Sequence, residues 1–205
     1  MKAKSPILII VDHASNAIPK EYKNLELSKS YLNSHIAYDI NIVNLANKLS
    51  KELNSEIIFG EYSRLFIDLN RSKDDPTLIT AISDKKIIKR NINISNKDKK
   101  FRINEIYNRY HLFIESLIKR RQIKLLLSLH SFSPIFKGKR RNIEIGILSN
   151  EDRRYSQKLI KKLKGKKYTI GDNEPYNGNL IGDTLYKHGL KNKLFHTLIE
   201  IRNDM

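Results

Sequence analysis

The sequence contains no cysteine. That excludes a disulfide framework, a thiolate nucleophile and a cysteine-ligated zinc site. A metal in this chain must be held by histidine, aspartate, glutamate, asparagine or water. No apolar stretch approaches the ~20 residues needed to cross a bilayer, so no membrane span is expected. The opening "MKAKSPILIIVDH" has the basic residues and short apolar run of a leader, but the run stops at Asp12 and His13 rather than in small residues. It reads as a first buried strand of a cytoplasmic protein. Repeats and a dividing linker are also missing, so residues 1–205 are expected to form a single domain. A domain of that length buries roughly 70% of its unfolded surface and needs no covalent or metal staple merely to fold.

Positive charge is abundant: 39 Lys and Arg stand against 22 Asp and Glu, giving +17. Such a balance suits polyanions. Here the lysines are spread through "SDKKIIKR", "NKDKK", "KLIKKLKGKK" and other segments, with no nucleic-acid motif beside them. They read mainly as solvated faces whose summed field attracts small anions; no specific nucleic-acid partner is expected.

"PILIIV" (6–11) is an uninterrupted apolar run, the pattern of a strand covered on both faces. "YDINIVNLANKLSKEL" places Ile40, Val43, Leu45, Ala46, Leu49 and Leu53 at helical spacing. "SEIIFGEY" and "RLFIDL" are strand candidates, and "DLNRSKDDPT" reads as a loop. From Lys73 to Lys100 the chain is polar and poorly periodic, with one short element in "PTLITAIS". A second helix falls in "INEIYNRYHLFIESLIKRR", with Ile103, Ile106, Tyr110, Phe113, Ile114 and Leu117 on one face. "IKLLLSLH" and "NIEIGILS" are strands, "EDRRYSQKLIKKLK" a helix and "HTLIEIR" a closing strand. This alternation predicts a three-layer α/β/α fold with a mostly parallel or mixed sheet. In such folds ligands bind beyond the carboxyl ends of the strands.

Three predicted strands carry polar residues to that end, in "VDHASNAIP", "LLLSLHSFSP" and "TLIEIRND". Taken singly, His130 is a strand-end histidine and Asn16 a turn residue. Glu200 in an apolar strand demands a partner, because a desolvated carboxylate costs several kcal/mol. Either Arg202 or a lysine pairs with it, or it serves chemistry. In "SRLFIDLNR", Arg71 is a surface residue, a partner of Asp68, or a fork for a carboxylate ligand.

"VDHASNAIP", "HIAYDI", "SRLFIDLNR", "HSFSP", "NEPYNG" and "IEIRND" occur in that order along nearly the whole chain. Together they resemble the N-formylglutamate amidohydrolase family, and more distantly the zinc carboxypeptidases and the aspartoacylase group. The resemblance implies a phosphorylase/hydrolase-like α/β/α fold and zinc held by His13, Asn16 and His130. It implies Glu200 as the catalytic carboxylate; in the mechanism this suggests, Arg64 is the candidate that stabilises the oxyanion beside the metal. Asn70 and Arg71 would bind a substrate carboxylate, with Arg140, Arg141 and Arg202 available for a second one and Tyr176 capping the substrate. The substrate class is a small anionic N-acyl amino acid. One position departs from the wider group, which has glutamate where this chain has Asn16. A neutral amide is a poor zinc ligand beside a carboxylate, so Asp12 is the alternative third ligand. His35 and Asp39 read as a helix-start pair or as a pair that orients a ligand. The rival readings are a metallo-carboxypeptidase or deacylase of another N-acyl amino acid, a basic nucleic-acid-binding protein, and a non-catalytic family member.

Overall fold

The structure is a computed structural model that describes residues 4–205. Its centre is a six-stranded mixed sheet, flanked by helices in a three-layer α/β/α arrangement. The strands are β1 (Ile7–Val11), β2 (Glu56–Phe59), β5 (Leu125–Phe132), β8 (Ile145–Leu148), β9 (Ile170–Asp172) and β10 (Phe195–Arg202), in the order β2-β1-β5-β10-β8-β9. Pairing is parallel throughout except between β8 and β10. Two hairpins lie outside the sheet: β3 (Ile82–Ser83) with β4 (Lys86–Ile87), and β6 (Ile135–Phe136) with β7 (Lys139–Arg140).

Strand alternation divides the core into two layers. Leu8, Ile10, Leu126 and Leu198 face helix α2 (Arg109–Arg121), which contributes Ile114, Leu117 and Ile118. Ile9, Val11, Leu127 and Leu129 face helix α1 (Ile42–Leu53) through Ile42 and Ala46. Each such side chain contributes about 1.5–3 kcal/mol of burial. Helix α1 stops at Asn54, whose φ of 47° is a left-handed cap that asparagine tolerates, and the chain turns straight into β2. Helix α3 (Ser156–Leu163) packs beside β8 and β9.

Two expectations need correction. "RLFIDL" is not a strand. Residues 64–69 form tight turns, Phe66 and Ile67 both donating to the Ser63 carbonyl at 2.8 and 3.2 Å. Leu65, Phe66, Ile67 and Leu69 are buried all round, in a third cluster with Leu25, Leu78 and Tyr107. A short apolar run carries no period that separates strand from buried turn. Phe113 is 52% exposed rather than core. Wide π-helical turns at Arg102–Asn108 shift the phase of the helix that runs into α2, so Tyr107 and Ile118 face inward. The edge strand β9 was not anticipated from the sequence.

Candidate metal centre and its cavity

The sheet register assembles the site. β5 and β10 pair in parallel with His130 opposite Glu200 and Ser128 opposite Leu198, which places His130 and Glu200 side by side on one face. Ile10 pairs with Ser128, so Asp12, just past β1, arrives level with His130. His13 follows on the turn, and its carbonyl accepts the backbone N–H of Asp39 at 2.9 Å. Asp39 thus reaches the strand ends from a loop far along the chain.

Both imidazoles have a fixed orientation. Nε2 of His13 lies 2.7 Å from Oδ1 of Asp68. Nε2 of His130 lies 3.4 Å from Oδ2 of Asp12 and 3.1 Å from the Ser128 hydroxyl. The two Nδ1 atoms turn toward the same oxygen, Oδ2 of Asp39, at 3.7 Å from His13 and 2.9 Å from His130. Ligand atoms from His13, Asp39 and His130 all lie within 4.8 Å of one another, and all three residues are buried. The buried Nδ1 of His13 has no hydrogen-bond partner. Two imidazole nitrogens and one carboxylate oxygen form a zinc-type donor set. The carboxylates behind each ring are the outer contacts that orient metal-binding histidines. The residues present fit a divalent cation.

The electrostatics agree. Burial pushes the Asp12, Asp39 and Asp68 carboxyls up, but their histidine contacts more than offset it, aided at Asp68 by Arg64. Asp12 settles at about 2, and Asp39 and Asp68 lie well below the usual carboxylate range. Burial opposes charge on His130, yet Asp12 and Asp39 hold its imidazolium well above the ordinary histidine value. Three buried carboxylates around two rings form a nest for positive charge. Glu200 is the exception: burial pushes it up to about 7, only partly countered by His130 and Arg64. Its Oε2 is buried and unpartnered.

His13, Asp39, His130 and Glu200 line a cavity of about 390 Å³, together with Arg64, Asn70, Arg71, Asp183 and the loop Tyr176–Gly178; Asp12 and Asp68 stand behind the histidines. Residues 5–205 match the profile of the N-formylglutamate amidohydrolase family. The chain belongs to that family. Among solved structures, the product of gene Atu2144 from Agrobacterium tumefaciens is similar at 32% identity and a TM-score of 0.94, over 98% of this chain and 82% of the other. An N-formylglutamate amidohydrolase from Ralstonia eutropha JMP134 shares the fold at 19% identity and a TM-score of 0.73, over the same shares of the two chains. No curated protein matches the sequence. Membership places the chain among hydrolases of amide bonds.

Within that family frame, most of the expected residues converge. His13, His130, Glu200, Arg64, Asn70, Arg71 and Tyr176 all line the cavity. Arg64 bridges Asp39 and Asp68, 3.5 Å from each. Asn70 accepts the Thr184 backbone N–H through Oδ1 at 3.0 Å. The Arg71 carbonyl is held by the Tyr107 hydroxyl at 2.6 Å and the Lys187 ammonium at 2.8 Å.

Four residues sit elsewhere, among them Arg140, which is exposed with its guanidinium 3.2 Å from Asp204. Asn16 does not line the cavity; its amide nitrogen donates to the Leu32 carbonyl at 3.2 Å and to Asn33 at 2.9 Å. Arg202 is buried against Asp204 at 2.7 Å and the Arg141 carbonyl at 3.0 Å, past the end of the pairing with β8. Arg141 lies outside the cavity, its guanidinium on the Tyr176 hydroxyl at 2.8 Å. Asp39, Asp68 and Asp183 stand at or beside the cavity, which the strand-end reading did not foresee. All three come from loops. For Asp39 and Asp68 the usable signal was an acidic residue inside a family motif. Asp183, lifted by burial to about 6, lies outside every motif.

Proposed function

We propose that this chain catalyses metal-dependent hydrolysis of the N-acyl amide of an acidic amino acid, converting N-formyl-L-glutamate and water to formate and L-glutamate. The observation that carries the reading is Glu200. It is a buried carboxylate with an unpartnered oxygen, pushed up to about 7, beside a metal-type group of two histidines and an aspartate. Residues 1–205 act in this reading as one catalytic domain.

His13, His130 and Asp39 would hold the cation, taken as zinc. When bound, zinc supplies Lewis acidity, bringing the pKa of water to roughly 7 and polarising the amide carbonyl. Glu200 takes the proton of the attacking water and hands it to the departing nitrogen, a task suited to a carboxylate whose pKa lies near the working pH. Arg64, already bridging two aspartates, sets a fixed positive charge where the oxyanion develops. Asn70 and Arg71 orient a substrate carboxylate, and the Tyr107 and Lys187 contacts to the Arg71 backbone keep that segment in place. Tyr176 closes the mouth. The partner is a small anionic N-acyl amino acid.

A coupled formate assay tests the reaction. Zinc-loaded protein should release formate and free amine in equal amounts from N-formyl-L-glutamate. Metal-loaded, folded protein that releases neither would refute the assignment.

A further inference from the structure

A second hollow adjoins the cavity and is larger than a formyl substrate requires. It has a volume of about 760 Å³ and shares Arg64, Arg71, Ser131 and Tyr176 with the inner cavity, so the two lie side by side. Its outer walls are the two hairpins, β3–β4 and β6–β7. Each is closed by a tight left-handed turn, at Asp84 and Lys85 (φ 44° and 62°) and at Lys137 and Gly138 (φ 49° and 77°). Such two-residue turns hold strands in fixed register rather than as loose loops.

The groove has an apolar floor and a cationic rim. Phe132, Phe136 and Tyr176 surround the Arg141 guanidinium at 5.2, 4.7 and 4.9 Å from their ring centres. Stacking of this kind holds a guanidinium in place with its charge intact. Lys85 and Lys137 add positive charge at the hairpin tips. Against them the lining offers Asp84 and Asp68, and Asp68 is already paired with His13 and Arg64.

The inner cavity alone is of a size for a small amino-acid derivative. A formyl group carries only a hydrogen beyond the scissile carbonyl carbon and leaves the outer groove without a role. Arg64 and Ser131 line both the inner cavity that holds the metal group and this groove.

We propose that the outer groove seats the acyl side of an acidic peptide, so that the site removes a carboxyl-terminal acidic residue whose preceding residue is also acidic. This rests on the hydrolase reading given above. The chemistry is the same: the water oxygen bonds to the peptide carbonyl carbon and the C–N bond breaks. The proton taken by Glu200 passes to the leaving nitrogen, releasing a shortened peptide and a free acidic amino acid.

Zinc-loaded protein is assayed with N-formyl-L-glutamate, N-acetyl-L-aspartyl-L-glutamate and N-acetyl-L-lysyl-L-glutamate. The same assays are run on the Lys85→Glu, Lys137→Glu double variant, whose two positions are exposed. The aspartyl peptide should be cleaved with a kcat/KM about tenfold above the lysyl peptide, a difference of ~1.4 kcal/mol. That preference should vanish or invert in the double variant, with N-formyl-L-glutamate turnover unchanged. Formate release without cleavage of the aspartyl peptide, or equal cleavage of both peptides by both proteins, overturns the groove assignment and leaves the hydrolase reading intact. Hydrolysis of none of the three overturns both. Cleavage of the aspartyl peptide alone, with the stated charge preference, keeps the groove and removes the formyl substrate.

Discussion

Asp39 is the residue on which the metal centre turns. Asn16 offers only a neutral amide, and that amide is engaged with Leu32 and Asn33. Asp39 brings a full negative charge to the point where both Nδ1 atoms converge. Asp39→Ala should therefore abolish zinc retention in equilibrium dialysis. Asn16→Ala should keep it, losing about 1 kcal/mol of stability with its hydrogen bonds. Asp68→Ala removes the carboxylate behind His13 and should weaken zinc binding by about 10- to 100-fold. Glu200→Gln should leave metal content and melting temperature unchanged while lowering kcat by about 10²- to 10⁴-fold. Near-normal turnover in that variant would remove the proposed base.

At the scale of elements, parallel pairing brings β1, β5 and β10 to one edge, and loops complete what the strands begin. His13, His130 and Glu200 stood out as polar residues at or near predicted strand ends, and the resemblance carried by their motifs gave them roles. Asp39 and Asp68 did not, because no local period states where a loop folds back. Their places depend on long-range contacts, such as the backbone bond from Asp39 to His13. The same limit explains "RLFIDL", whose apolar residues are buried by a tertiary cluster rather than by sheet pairing. Gly60 ties these pieces together just after β2: its N–H donates to the Val11 carbonyl at 2.9 Å. A Cβ on it would sit 2.0 Å from the Asp12 carbonyl oxygen. Backbone cannot yield there as a flexible side chain would. Gly60→Ala should cost about 1–3 kcal/mol in urea unfolding and weaken zinc binding by displacing Asp12.

Across the whole molecule, a neutral histidine pair behind the cavity links stability to pH. Nε2–H of His111 donates to the Leu69 carbonyl at 3.1 Å, leaving its Nδ1 to accept from Nε2–H of His188 at 2.8 Å. Burial pushes the two down to about 3 and about 4. Both folded values lie below the unfolded value of about 6.5. Their contribution is therefore present above that pH and is lost as pH falls toward about 4, since the unfolded chain then binds more protons. Between about pH 6 and pH 5, unfolding free energy should fall more steeply in the wild type than in His188→Gln, by about 1 kcal/mol per pH unit. NMR should show neither ring titrating above about pH 5; a ring that protonates near its unfolded value would contradict the buried pairing.

The central claim is that the fold joins His13, Asp39 and His130 around one cation facing Glu200. Anomalous scattering at the zinc edge, from crystals of the zinc-loaded protein, tests it most directly. A single strong peak should lie between the two Nδ1 atoms and the Asp39 carboxylate, with the Glu200 carboxylate turned toward it. A peak at Asn16, or no zinc among these three residues, would contradict the account.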